Sequence, residues 1–292
     1  MPPRPTSRLA HLGLLYAAFI WGSTFILVKD SLEHIDPVIL VGYRFLLAAL
    51  PLGFWLALRG RRLWHEWQAG VRLGILLWLL YAPQTIGLGY TSAANSAFIT
   101  GLFVAFVPLF SWLFLRRPLR PTDAFAAALA LAGLWLLTGG LREANPGDLI
   151  TLITAAAYAG HILAADDAIQ RGLDSLVLSF QQFLVVGLLS LAAGAVFGLP
   201  FGVGTPGTWG VVAFLAFLPT LSAFAIQLWA QRQVAPLRVS LIFALEPVFA
   251  ALLAWTAGHE PFRIAQAAGG LLIVMASASS ILTVSSRTRP RE

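Results

Sequence analysis

Glu246 and Pro247 stand side by side in "ALEPVFAALLAW", residues 244–255, a stretch that is otherwise apolar. A lone carboxylate in such surroundings is costly, and a proline inside a helix removes a hydrogen bond. Pro247 has no N–H for the carbonyl of Phe243, so a bend is expected there, with that acceptor in need of another partner. Two roles are open to Glu246. A protonated carboxyl would donate a hydrogen bond that pins the bend, whereas a titrating one would face a cavity and couple proton movement to transport.

Further polar groups recur at helical spacing. Thr151, Thr154, Tyr158 and His161 fall on one helical face, as do Trp78, Tyr81 and Thr85 with Gln84 beside them, and Thr220, Phe224, Gln227 and Gln231. Aromatic surface mixed with neutral hydrogen-bonding groups suits a pocket for small zwitterions or amphipathic metabolites. The competing role is interhelical glue, worth about 0.6–2 kcal/mol per bond. Arg44 either snorkels to the near interface or faces the cavity and attracts a carboxylate. Asp166 and Asp167 are expected to need no partner beyond water. The chain has no cysteine, its other histidines fall at helix ends or loops, and no H-E-x-x-H, G-x-S-x-G or Walker-type run occurs. The sequence therefore offers no metal or cofactor site and no ATP-binding motif.

The elements that position these residues must cross a membrane. Of 292 residues, 58% are hydrophobic and only 11% charged, against about 25% charged in an ordinary soluble domain. No Asp, Glu, Lys or Arg occurs from Leu73 to Leu115 or from Ser175 to Gln231, and each gap is long enough for two spans of about 20 residues. Breaks at charges and at Gly, Pro, Ser and Asn clusters give ten helices, over 9–28, 37–58, 70–90, 94–115, 123–141, 148–167, 175–197, 208–231, 236–256 and 263–283. Helix is the open option, since the alternation of a membrane barrel is missing.

The net charge of +6 comes from arginines clustered between apolar runs, not along one basic face, so nucleic acid is not the expected partner. With the N-terminus inside, 15 basic residues, among them Arg4, Arg59, Arg116, Arg171, Arg232 and Arg287, fall inside, and only Lys29, Arg142 and Arg263 fall outside. The positive-inside rule then places both termini in the cytoplasm.

The chain also repeats. At an offset of 138, Asp36 matches Asp174, Phe45 matches Phe183, and Gly22-Ser23 falls on Gly160-His161; at 143, Gln84 falls on Gln227. Five spans per half is odd, so the second half enters the membrane inverted, a recurrent design of secondary transporters with the substrate site between the halves. Pro108 and Pro247 do not superpose at 143, which predicts bends at different depths.

"FIWGSTFILVKDSLEHIDPVILVGYRFLLAAL" in the first half and "RVSLIFALEPVFAALLAW" followed by "GHEPF" in the second resemble the EamA domains of the drug/metabolite transporter superfamily, one domain per half, 1–142 and 143–292. Arg116-Arg117 stands where the second half has His259-Glu260. The resemblance implies an all-α polytopic membrane protein, with ten helices as two inverted five-helix repeats. It also implies a central cavity lined by spans 1 to 4 and 6 to 9, with spans 5 and 10 peripheral. Within the family the chain looks similar to YddG-type exporters of amino acids. The resemblance marks the Glu-Pro pair as part of the fold, and the opposite half carries Phe103 in place of an acid, so the pinning role is favoured for Glu246.

The expectation is a bacterial inner-membrane secondary transporter that exports small organic metabolites, amino acids first. Ser23, Arg44, Trp78, Tyr81, Gln84, Tyr158, His161 and Gln227 are its candidate substrate-binding residues, with Glu246 and Pro247 at the coupling or bending point. The alternatives are an intramembrane enzyme or lipid-handling protein using His161, Glu246 or Arg44, and a channel.

Overall fold

The structure, a computed structural model, describes residues 8–118, 120–140, 145–256 and 262–285. Arg4, Arg142, the His259-Glu260 pair, the arginines beyond 285 and the 142/143 boundary lie outside the described residues. Among those described, nine helices are long and apolar enough to cross a membrane. They are spans 1 to 9: Arg8–Ser31, Pro37–Leu58, Trp67–Leu88, Ala93–Leu113, Pro121–Thr138, Pro146–Gln170, Ser175–Val196, Pro206–Ala230 and Pro236–Leu253. Span 10, Ile264–Ser285, completes ten helices and carries a shorter apolar stretch, Ile264–Ala278.

The span starts follow from their sequence. Asp36 caps span 2 by accepting from the amides of Val38 and Ile39, and its repeat mate Asp174 caps span 7 by accepting from Leu176 and Val177. Each cap satisfies donors that the first helical turn leaves unpaired, for about 1 kcal/mol. Span 6 begins with a full capping box, Asn145 and Asp148 exchanging side-chain bonds with each other's backbone.

The packing exchanges the two halves. Span 2 lies against span 7 and span 5 against span 10. Span 3 packs on span 6 as span 8 packs on span 1, span 3 on span 7 as span 2 on span 8, and span 4 on span 6 as span 9 on span 1. Each of these pairings has its counterpart in the other half, as two inverted repeats require. Spans 5 and 10 touch backbone to backbone, since a Cβ on Gly133 would sit 2.6 Å from the carbonyl oxygen of Gly269. Small residues permit this approach where lipid supplies no hydrophobic drive between helices.

Three spans are interrupted. Span 1 breaks at Ser23, between helices Arg8–Gly22 and Thr24–Ser31. Span 4 breaks at Leu102, between Ala93–Gly101 and Phe103–Leu113, and span 9 at Ala244 and Leu245, between Pro236–Phe243 and Glu246–Thr256. Leu102 and Leu245 are 143 apart, so the expectation of bends at different depths is corrected. Pro108 lies inside a continuous helix, and the break falls at the same repeat position in both halves. Pro247 sits in the first turn of a new helix, where a missing N–H costs nothing. Span 8 departs differently, passing through a π-helical stretch, Ala216–Ser222, around Pro219. Proline cannot serve the carbonyl of Leu215, and the Thr220 hydroxyl donates to it instead, at 2.8 Å.

Candidate functional site

Where the broken spans meet, a cavity is walled by Trp21, Thr24, Phe25 and Val28 of span 1, Arg44 of span 2, and Leu80, Tyr81, Gln84, Thr85 and Leu88 of span 3. Thr100 of span 4, Tyr158 of span 6, Phe224 of span 8 and Glu246 of span 9 complete it. Span 7 adds no wall residue, which corrects the expected lining, because it lies behind spans 2 and 3. The enclosed free space is about 30 Å³, room for about one water molecule and far below the roughly 300–1,000 Å³ of a small-molecule pocket. The walls must separate before a metabolite enters.

Span 1 reaches span 9 because residue 22 is glycine. A Cβ there would overlap the carbonyl oxygen of Glu246 and lie 3.2 Å from the amide of Ala250. The break at Ser23 and the break before Glu246 are thereby held against each other. Arg44 is 3% exposed, so it does not snorkel. Its Nε donates to the Thr220 hydroxyl at 3.0 Å, and its guanidinium lies 4.7 Å from the centre of the Tyr81 ring. The π-helical stretch thus presents Thr220 to Arg44, and the Pro219 carbonyl beside it accepts from Trp21 Nε1 at 2.6 Å. Glu246 is 7% exposed, and among the described residues its carboxylate makes no hydrogen bond or ion pair. It does not pin the break by a side-chain bond. One basic and one acidic group therefore share a small cavity with hydroxyl, amide and aromatic surfaces.

An aromatic layer closes the cavity on the side of the bundle that carries the N-terminus, called here the terminal side. Trp21 packs on Phe224 and Phe243, each at 4.9 Å between ring centres, and Tyr158 on Phe103 at 4.4 Å. Two contacts join repeat mates directly: Phe45 with Phe183 at 5.8 Å, and Tyr81 with Phe224 at 5.9 Å. The layer therefore straddles the pseudo-two-fold axis.

Of the residues singled out in the sequence, Arg44, Tyr81, Gln84, Thr85, Tyr158, Phe224 and Glu246 line the cavity. Gln84 donates to the Thr100 hydroxyl at 3.0 Å. Ser23 turns back to the carbonyl of Ile20, and Trp78 reaches Ser190 on span 7, so neither is in the lining. His161 and Gln227 are fully buried beyond Phe224, on the terminal side. Pro247 belongs to the helix start and not to the wall. Spacing missed Thr24, Phe25 and Val28, whose only signal is that they follow the Gly22-Ser23 pair, and Thr100, which sits just before the span 4 break.

The terminal side is tied by charge. Arg117 meets Asp166 at 3.6 Å, and Arg72 and Arg171 meet Asp167 at 2.9 and 3.6 Å. The expectation that these aspartates need only water is corrected: the Asp166 side chain is 1% exposed, and a carboxylate so buried takes a partner. On the other side Lys29 donates to the carbonyl of Thr91, whose hydroxyl donates to Asp148 at 2.6 Å.

Ten helices in inverted halves around a closed polar cavity define a polytopic membrane transporter. The EamA-like transporter family matches the chain twice, over residues 8–139 and 145–282, and the protein belongs to that family. Among its relatives is an uncharacterized transporter of Archaeoglobus fulgidus, 32% identical over 91% of this chain and 84% of its own. Another is the uncharacterized inner membrane transporter YedA of Escherichia coli, 27% identical over 86% of this chain and 84% of its own. A solved crystal structure shares the fold with a TM-score of 0.78, covering 96% of this chain and 99% of its own at 22% identity.

Proposed function

We propose that the protein exports small zwitterionic metabolites, amino acids first among them, from the cytoplasm by rocking of its two halves around the central cavity. One observation carries the reading: Arg44 and Glu246 wall the same cavity together with Trp21, Tyr81, Tyr158 and Phe224. Arg44 takes the carboxylate of a zwitterion, Glu246 takes its ammonium, and the rings take an apolar side chain. The charge count supports cytoplasmic termini, with the terminal side as the cytoplasmic one. The naming of YedA as an inner membrane transporter supports the bacterial inner membrane as the location. Energy comes from gradients, in keeping with the lack of an ATP-binding motif.

Proteoliposomes loaded with radiolabelled neutral amino acids test this. The expected result is saturable, protein-dependent efflux of chemically unchanged amino acid. Flux that rises without saturation would point to a channel, conversion without flux to an enzyme, and saturable flux of nucleosides or sugars alone to another substrate class.

A further inference from the structure

A second polar cluster lies on the terminal side of the aromatic layer. His161 of span 6 and Gln182 of span 7 bond at 2.8 Å, Nε2 of the ring donating to the amide oxygen. Gln231 of span 8 donates to the carbonyl of Ile162, and Gln227 lies one turn before it. His161, Gln182, Gln227 and Gln231 are all fully buried. Three of their polar atoms have no partner among the described residues: Nδ1 of His161, Nε2 of Gln182 and Oε1 of Gln227. Buried polar groups left unpaired are rare in folded proteins and call for an explanation.

The repeat supplies one. At the offset of 138, Arg44 falls on Gln182 and Ser23 on His161; at 143, Gln84 falls on Gln227, Leu88 on Gln231 and Tyr81 on Phe224. The cluster is therefore the pseudo-two-fold image of the cavity, reflected through the layer in which Tyr81 meets Phe224. It differs in one respect: it carries no charged group. In an inverted repeat, the movement that shuts one side exposes the equivalent residues on the other.

We propose that His161, Gln182 and Gln227 form a second, neutral binding station on the terminal side. It holds the polar head of the substrate when the bundle opens there and passes it across Phe224 to Arg44 and Glu246. The Gln182 amide donates to a carboxylate, while His161 Nδ1 and Gln227 Oε1 accept from an ammonium. A station without charge holds a zwitterion more weakly than the cavity does, so substrate moves on and is not trapped. In the closed state the three atoms lack a protein partner, which favours reopening.

The inference rests on the transport reading but not on the identity of the substrate. The chain has no cysteine, so Gln182→Cys, Gln227→Cys and Gln84→Cys each provide a single thiol. Vesicles of both orientations are treated with the membrane-impermeant cation MTSET, with and without a mixture of neutral L-amino acids. Gln182→Cys and Gln227→Cys should react only from the terminal side, Gln84→Cys only from the opposite side, and the amino acids should slow all three. Should the substituted chains not fold, diethyl pyrocarbonate on the unsubstituted protein reads the same surface, and His161 should be modified along with the exposed His34 and His65. Reaction of Gln182→Cys and Gln227→Cys from the same side as Gln84→Cys overturns the proposal. So does silence at both positions, or at His161, in folded protein. The sided pattern without protection by amino acids keeps the station and removes the amino-acid reading.

Discussion

Span 4 and span 9 break at equivalent residues, yet the first residue after the break is Phe103 in one and Glu246 in the other. Phe103 is 1% exposed and packs its ring at a tilt against Tyr158, sealing the layer. Glu246 lines the cavity and makes no bond. Gly22 and Gly160 divide in the same way. The first is pressed onto the backbone of span 9, whereas a Cβ on the second would meet only the tip of Leu76, at 3.3 Å. One backbone plan is used twice, and at these paired positions the residue at the cavity brings charge or close contact while its mate is apolar or loosely packed. Function here resides in departures from symmetry.

Substituting repeat mates in pairs breaks or sharpens that contrast. The largest effect is expected for Gly22→Val, which drives a side chain into the carbonyl of Glu246 and should cost about 3 kcal/mol or more. Gly160→Ala should stay within about 1 kcal/mol. Thermal unfolding in detergent compares them, and equal losses would deny that the span 1 to span 9 crossing is special. Next, Arg44→Gln should weaken amino-acid binding by about 2 kcal/mol or more, roughly thirtyfold. Gln182→Leu should lower turnover far more than affinity, and efflux kinetics separate the two.

Glu246→Gln keeps a hydrogen-bonding group but cannot titrate. It should fold normally, bind substrate more weakly and lose gradient-driven efflux. Normal, pH-responsive efflux by this variant would return Glu246 to a purely structural role. Phe103→Leu, at the equivalent position, should leak at the aromatic layer without altering the pH response. The smallest effect concerns Gln84 and Gln227. Gln84→Leu removes the bond to Thr100 and should reduce flux severalfold at nearly unchanged stability. Gln227→Leu removes an unpaired buried oxygen and should raise stability by roughly 1 kcal/mol while slowing turnover. A melting temperature that falls for Gln227→Leu would mean that its oxygen is satisfied in the folded protein.

The ten spans were legible because long charge-free runs and Asp, Pro and Gly punctuation follow from the cost of polar groups in lipid. The inverted repeat was legible from residues such as Asp36 and Asp174, whose capping role is local. Depth was not. A helical period assigns Tyr158 and His161 to one face, but it does not say at which depth that face meets the cavity: Tyr158 lines it, and His161 lies past Phe224 on the terminal side. The break at Ser23 and the π-helical stretch at Thr220 also escaped, since both depend on distant partners, Glu246 for the first and Trp21 and Arg44 for the second. Proline position alone misplaced the break of span 4, because Pro108 is accommodated within a helix.

The central claim is that Arg44 recognises a carboxylate and Glu246 an ammonium in one site. Equilibrium binding of leucine and of its decarboxylated amine to the unsubstituted protein, Arg44→Gln and Glu246→Gln tests it directly. The unsubstituted protein should prefer leucine, Arg44→Gln should bind the two alike, and Glu246→Gln should weaken both. An Arg44→Gln protein that keeps its full preference for leucine would contradict the account.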